Sequence, residues 1–185
     1  MGRSINVLFI NQPAIPIAEL ELSLNNNNSI TSHVAIPLGI LYLSSYLKKY
    51  NSDVKIEALD FAYEVFNRAP HHNTVDDIIN ATANEISFKP DVLAISAMFS
   101  ICHPFLMKTI DIFSTFFPDT KIIVGGNHAT NATRLLLEND KVDYVGRGEC
   151  EESFRQFIDN FDNLDNVNIP GIYSKKDLQN KVHMG

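Results

Sequence analysis

The sequence predicts an α/β fold in which a parallel β-sheet is covered by helices on both faces. Apolar runs of strand length recur five times along the 185 residues, and segments with the apolar spacing of a helix alternate with them. The first run, residues 5–10, is continuous, which is typical of a strand that is buried on both faces. The length is sufficient for one domain with a single core.

The first half of the chain contains two of the predicted strands, at residues 5–10 and 54–59. A helix is predicted at residues 37–50, and Pro37 suits its first turn, where the missing N–H leaves no hydrogen bond unmade. A further helix is predicted to begin after Thr74, which opens a Thr-x-x-Asp capping box.

The second half of the chain continues the alternation. Strands are predicted at residues 91–96, 121–124 and 142–145. Helices are predicted at residues 103–117 and 129–139, and around residues 154–161. Residues 162–170 are rich in Asn and Asp and are predicted to form a loop, and residues 171–174 are a candidate for an added edge strand.

Five such repeats predict a doubly wound sheet of five parallel strands in the order 2-1-3-4-5, as in flavodoxin-like, Rossmann-like folds. Ligands of these sheets bind at the carboxyl ends of the strands, near the point where the strand order reverses. Four connections lie at that edge, and they are residues 11–36, 96–102, 125–128 and 146–149.

The first of these connections is unusually long. It holds 26 residues and includes four consecutive asparagines at residues 25–28, whereas roughly 2–6 residues are usual. It is either a functional loop or a disordered insertion. We expect residues 25–28 to be mobile without a ligand, because a polar run buries too little apolar surface to offset its ordering entropy.

Composition excludes several classes of protein. The net charge of -7 argues against a general nucleic-acid binder, and no apolar run reaches the ~18 residues of a membrane-spanning helix. The apolar stretch near the N-terminus, residues 5–10, is too short for a signal peptide. The chain has only two cysteines, Cys102 and Cys150, which excludes a disulfide framework and a cysteine-ligated iron–sulfur or structural zinc site within it. A cytoplasmic location is expected.

Familiar nucleotide-binding motifs do not fit. Residues 11–13 carry neither the acids of a phosphate receiver nor the hydroxyls of a flavodoxin phosphate loop, and residues 146–151 lack the third glycine of a dinucleotide fingerprint. Gly125 and Gly126 follow a buried strand, where they either admit a ligand close to the backbone or form a tight turn. Replacing either glycine by valine is expected to weaken ligand binding and to leave the fold intact.

Four segments occur in a characteristic order, at residues 36–43, 89–96, 124–130 and 142–151, and residues 169–172 follow them. Together they resemble the N-terminal cobalamin-binding domain of the cobalamin-dependent radical S-adenosylmethionine enzymes. The resemblance extends from Val7 to about Tyr173. It implies that residues 1–175 form a cobalamin-binding domain and that residues 176–185 begin a linker.

The resemblance also implies a set of cofactor contacts at the carboxyl edge of the sheet. They are Pro37, Leu38, Gly39, Ser96, Ala97, Met98, Gly125, Gly126, Asn127, His128, Gly148 and Glu149. The two adjacent glycines would flank the nucleotide tail of cobalamin, and Ser96 would donate a hydrogen bond to it. His128 would be a polar contact near the tail or its phosphate, and the alternative is that it bonds only to the local backbone.

One family motif is absent. The radical domain of these enzymes carries a C-x-x-x-C-x-x-C motif, which nothing in this sequence matches. The iron–sulfur cluster and S-adenosylmethionine would therefore belong to an absent downstream domain, in an enzyme that we expect to be a methyltransferase. The chain would be a fragment of such an enzyme, not catalytic by itself, or a stand-alone relative. Two alternatives remain, namely a degenerate docking module without cofactor and a flavodoxin-like module for another small ligand.

The cobalt ligand is a further departure from known cobalamin proteins. Cobalamin mutases and methionine synthase carry a D-x-H-x-x-G motif just after the first strand, and its histidine binds cobalt. Residues 11–16 contain neither the acid nor the histidine. The one histidine of this connection, His33, has Thr31 where an orienting aspartate would stand. We therefore predict that cobalamin binds with its tail base off cobalt and without a protein histidine ligand.

Overall fold

A six-stranded sheet forms the centre of the protein. The structure is a computed structural model, and it describes residues 3–26, 36–51 and 53–180. The strand order is β2-β1-β3-β4-β5-β6. The strands are β1 (Ile5–Asn11), β2 (Val54–Asp60), β3 (Val92–Ser96), β4 (Lys121–Gly125), β5 (Tyr144–Gly146) and β6 (Ile172–Ser174).

The first five strands are parallel and have the predicted order, but the predicted number of five is one too few. The candidate edge strand is present as β6, which pairs antiparallel with β5. Gly171 makes the reversal possible with a φ of 84°, a conformation that glycine adopts without steric cost. Its carbonyl oxygen also accepts a hydrogen bond of 2.8 Å from the backbone N–H of Arg147.

Helices cover both faces of this sheet, as predicted. They are α1 (Ile17–Asn25), α2 (Leu38–Tyr50), α3 (Phe61–Arg68), α4 (Val75–Glu85), α5 (His103–Phe116), α6 (Asn127–Asn131), α7 (Thr133–Leu137), α8 (Glu151–Asp159) and α9 (Lys175–Gln179). The apolar side chains of α2 and α8 pack with Val7 and Phe9 on one face. Those of α1, α3, α4, α5 and α7 pack on the other face.

The long first connection contains a helix that the sequence analysis did not predict. Leu20 and Leu24 of α1 are buried in the core that α4 and α5 share. Burial of this apolar face stabilises a helix that would be marginal in isolation. Asn27 and Asn28 lie outside the described residues, so the expected mobility of the asparagine run stays a prediction.

Three smaller differences concern helix boundaries. Helix α3 was not predicted. It begins at Phe61, and the carboxylate of the preceding Asp60 caps it by accepting a hydrogen bond from the N–H of Ala62. The single helix predicted at residues 129–139 is instead the pair α6 and α7, which meet at Ala132 with a φ of -117°. Helix α9 lies in the segment expected to begin a linker, and Leu178 packs against the core.

The described helices are all too short or too polar to cross a lipid bilayer.

Candidate functional site

A cavity of about 380 Å³ lies at the carboxyl edge of the sheet, under α2 and α8. Its deep part is formed by Phe9, Ala94 and Ile123, which lie side by side in register on β1, β3 and β4. We call these three residues the deep row. Ala94 is the small member between two large side chains, so it leaves space above the middle of the sheet.

The next row of residues towards the carboxyl ends of the strands contains two polar side chains and one glycine. Asn11, Ser96 and Gly125 lie in register there, and Ser96 and Gly125 line the cavity. The Ser96 hydroxyl makes no hydrogen bond within the described parts of the chain. A Cβ atom added at Gly125 would have nothing within 4 Å. The mouth of the cavity is thus open at Gly125 and offers a free hydroxyl at Ser96.

The two helices on this face supply the walls. Ile40 and Leu43 of α2 and Phe154 of α8 line the cavity. The rings of Phe154 and Phe9 are tilted, with centroids 5.6 Å apart. The hydroxyl of Tyr46 on α2 donates a hydrogen bond of 3.0 Å to Glu152 on α8, which links the two helices at the surface.

Gly126 serves a different purpose from Gly125. Its φ is 100°, and a Cβ atom added there would lie 2.7 Å from the carbonyl oxygen of Ala97. The ends of β3 and β4 approach closely here, since Ala97 N–H donates to Gly125 and His128 N–H donates to Ala97. The expectation that the fold tolerates valine is therefore wrong for Gly126, because the chain's own backbone occupies the space.

The side chain of Thr130 links the segment that follows β4 to the segment that follows β5. Its hydroxyl accepts a hydrogen bond from the N–H of Gly148 at 3.0 Å and donates one to the carbonyl oxygen of Gly126 at 3.1 Å. The Nε of Arg147 donates to the carbonyl oxygen of Thr130 at 3.2 Å. These bonds hold Gly148, whose φ is 69°, at the rim of the cavity.

His128 is buried beside the cavity rather than in its lining. Its Nε2 lies 3.0 Å from Nδ1 of His103, and its Nδ1 lies 3.1 Å from the hydroxyl of Ser100. Burial lowers the pKa of His128, and the nearby His103 lowers it further. The ring therefore favours the neutral form, in which one nitrogen donates and the other accepts.

The cavity also contains a thiol and two carboxylates. Burial raises the pKa of Cys150 to about 11, and Glu151 and Glu149 contribute to the rise. The Cys150 thiol lies 3.4 Å from the carbonyl oxygen of Gly148, to which it donates. A neutral thiol of this kind is a weak nucleophile at neutral pH.

Residues 31–158 match a family model described as "B12 binding domain". The chain belongs to the B12-binding domain family. A curated relative, cytidylyl-2-hydroxyethylphosphonate methyltransferase of Streptomyces wedmorensis, is 31% identical over 163 residues. That alignment covers 80% of this chain and 29% of the relative.

Solved structures share the fold of this B12-binding domain. The radical S-adenosylmethionine methyltransferase TsrM from Kitasatospora setae, with cobalamin and a 4Fe-4S cluster bound, superposes with a TM-score of 0.63 at 16% identity. The match covers 92% of this chain and 27% of TsrM. The cobalamin-dependent S-adenosylmethionine radical enzyme OxsB, with aqua-cobalamin and S-adenosylmethionine bound, has a TM-score of 0.59 at 19% identity and is covered to 20%. The chain thus spans less than a third of each of these relatives.

Most of the site residues predicted from the sequence come together in this cavity. Those in its lining are Gly39, Ser96, Met98, Gly125, Gly126, Asn127, Gly148 and Glu149. Pro37, Leu38, Ala97 and His128 are not among the described residues that line it. Ala97 is fully buried, whereas Leu38 is 60% exposed. Their contact with a cofactor stays a prediction.

The sequence analysis missed the deep row. Ala94 and Ile123 stand two positions before the predicted Ser96 and Gly125, and Phe9 stands two before Asn11. Side chains two residues apart on a strand share one face of the sheet. That alternation is the signal that identifies them. Among the described residues, no group of three or more His, Cys, Asp or Glu side chains could hold a metal ion.

Proposed function

We propose that this B12-binding domain binds cobalamin with the nucleotide tail detached from cobalt and inserted into the cavity under α2 and α8. The observation that carries the proposal is the cavity itself. Its volume of about 380 Å³ falls in the range of roughly 300–1,000 Å³ that is usual for small-molecule sites. An apolar interior with polar groups at the mouth suits an aromatic base that is joined to a ribose phosphate.

Each part of the cavity has a role in this proposal. The deep row and Phe154 would pack against the aromatic base, and the Ser96 hydroxyl would donate to a polar atom of the tail. The open space at Gly125 would admit the tail past the end of β4. Thr130 would keep the rim in place through Gly148 and Gly126. Bound cobalamin supplies methyl-transfer chemistry, and the protein supplies its placement.

The proposal leaves cobalt without a histidine ligand from this chain. His103 and His128 contact each other beside the cavity, and neither is among the described residues that line it. The described part of the first connection, residues 11–26 and 36, contains no histidine. His33 lies outside the described residues, and the experiment below tests it directly.

We further propose that the domain carries the cofactor within a larger radical S-adenosylmethionine methyltransferase. The support is that the matched relatives are methyltransferases or radical enzymes by name and are several times longer than the matched region. The iron–sulfur cluster and S-adenosylmethionine would then bind outside residues 1–185.

Cobalamin binding is tested by mixing the purified chain with hydroxocobalamin, desalting it and recording the corrin absorption spectrum. The wild type is expected to retain the corrin, and Gly125→Val is expected to lose it. Ala58→Val is the matched control, since Ala58 pairs with Phe9 on the exposed edge strand β2, outside the cavity. A colourless wild-type protein would contradict the proposal and favour a docking module without cofactor.

The ligation of cobalt is tested by electron paramagnetic resonance of the complex with cob(II)alamin. A nitrogen ligand splits each cobalt hyperfine line into three, and we expect no such splitting. A triplet that disappears in His33→Ala would identify His33 as the ligand. A triplet that persists in this variant, and in one lacking the other histidines, would show that the tail base remains on cobalt.

A further inference from the structure

The deep part of the cavity contains apolar side chains from both the sheet and the helices. Phe9, Ala94 and Ile123 form its sheet side, and Leu43 and Phe154 face them from α2 and α8. The polar side chains of the lining lie at the end of β3, in α6, or between β5 and the start of α8. They are Ser96, Asn127, Thr130, Glu149 and Glu151.

Backbone groups beneath the deep row are also unable to bind a ligand. Phe9 pairs with Ala94, and Ala94 pairs with Ile123, in the parallel ladder of β1, β3 and β4. Their N–H and C=O groups are therefore used within the sheet. The thiol of Cys150 is engaged by the carbonyl oxygens of Arg147 and Gly148, 3.6 and 3.4 Å away.

We propose that this apolar interior selects corrinoids by the chemistry of the lower base, preferring dimethylbenzimidazole to a purine such as adenine. This inference rests on the proposed function, since it assumes that the tail enters the cavity. The far edge of dimethylbenzimidazole carries two methyl groups. The corresponding edge of adenine carries an amino group and ring nitrogens, which lose their hydrogen bonds to water on entering the cavity.

The expected size of the preference follows from the cost of that loss. A buried polar group without a partner weakens binding by about tenfold or more. The deep row offers adenine no partner, whereas the two methyl groups of dimethylbenzimidazole gain by leaving water. Cobalamin should therefore bind about tenfold or more tightly than its adenine analogue.

Ala94 determines the depth that a base can reach. It stands between Phe9 and Ile123 and is the one small side chain in the deep row. A larger residue at this position would fill the space above β3 and exclude any base. The corrin ring would be unaffected, because it is too wide to enter a cavity of this volume.

The test is an anaerobic calorimetric titration of the purified chain with three corrinoids in the cobalt(I) state, in which no lower base is bound to cobalt before binding. They are cobalamin, the cobamide with adenine as its lower base, and cobinamide, which lacks the nucleotide. We expect cobalamin to bind most tightly. Equal affinities for cobalamin and the adenine cobamide would overturn the inference and leave the proposed function intact. Failure of all three to bind would overturn the proposed function.

Two variants of Ala94 complete the test. Ala94→Leu should reduce cobalamin affinity to that of cobinamide, and retained cobinamide binding would show that the variant is folded. Ala94→Ser preserves volume and adds a hydroxyl, so it should reduce the difference between the two cobamides. Ala58→Leu and Ala58→Ser, in the same row of the sheet but exposed on β2, are the matched controls. Base preference that is unchanged in Ala94→Ser and in Ala94→Leu would overturn the assignment of Ala94.

Discussion

The hydroxyl of Thr130 accepts a hydrogen bond from the backbone N–H of Gly148 at 3.0 Å, which joins the connection after β4 to the one after β5. The same hydroxyl donates to the carbonyl oxygen of Gly126. One side chain therefore holds two glycines at the cavity rim, although 18 residues separate Thr130 from Gly148.

Thr130→Val removes both bonds and preserves the shape of the side chain. We expect the free energy of unfolding to fall by ~1 kcal/mol and cobalamin affinity to decrease, because the rim loses its link. Urea denaturation and calorimetric titration measure the two effects. Thr130→Ser should restore both. Thr115→Val, which removes an exposed hydroxyl bonded to Asp111 on α5, is the control and should leave affinity unchanged.

The adjacent glycines should respond differently to substitution. Gly125→Ala points a methyl group into open space and should leave the unfolding transition almost unchanged while weakening cobalamin binding. Gly126→Ala should lower the free energy of unfolding by at least ~1 kcal/mol, since its φ of 100° disfavours a side chain and the Ala97 carbonyl blocks it. Thermal unfolding measures both. Equal stability of the two variants would contradict the close approach of Gly126 to the carbonyl oxygen of Ala97.

Stability should depend on pH through His128. Burial lowers the pKa of its imidazole in the folded protein, so the unfolded chain binds a proton more readily, at about 6.5. This contribution to stability is present above that pH and is lost as the pH falls through the lower pKa of the folded state. Urea denaturation at about pH 8 and about pH 5 measures the loss.

His128→Gln should show a smaller loss of stability on acidification than the wild type, because it has no imidazole to protonate. His71→Gln is the control, since His71 is exposed on the short helical turn after α3. An identical loss in the wild type and in His128→Gln would assign the pH dependence to other groups.

The thiol of Cys150 should be unreactive at neutral pH. Its pKa of about 11 keeps it protonated where an ordinary thiol, with a pKa of about 8.5, is partly ionised. Iodoacetamide labelling of Cys102→Ala, which leaves Cys150 as the one thiol, should therefore accelerate only at strongly alkaline pH. Cyanocobalamin should slow the labelling further if its tail fills the cavity. A rate that reaches half its maximum near pH ~8.5 would contradict the burial of Cys150.

The central strands could be located because strands buried on both faces are continuous apolar runs, such as residues 5–10 and 91–96. Their order could be predicted because alternating strands and helices form a doubly wound sheet. Helix α1 could not, because its stability comes from the burial of Leu20 and Leu24 against distant helices. The mouth of the site at Ser96 and Gly125 could be predicted because ligands of parallel sheets bind at the carboxyl ends of the strands. The orientation of His128 towards His103 depends on side-chain packing that the sequence pattern does not contain.

The two hydrogen bonds that join the ends of β3 and β4 also extend the protected part of the sheet. Ala97 N–H donates to Gly125 at 2.8 Å and His128 N–H donates to Ala97 at 3.0 Å, although both donors follow the last residue of their strands. In hydrogen–deuterium exchange these two amides should exchange as slowly as those inside the strands. Those of Met98 and Phe99, which are exposed at the same edge, should exchange far faster. At the rim of the cavity, the slowly exchanging amide of Ala97 would then stand directly before the rapidly exchanging amides of Met98 and Phe99.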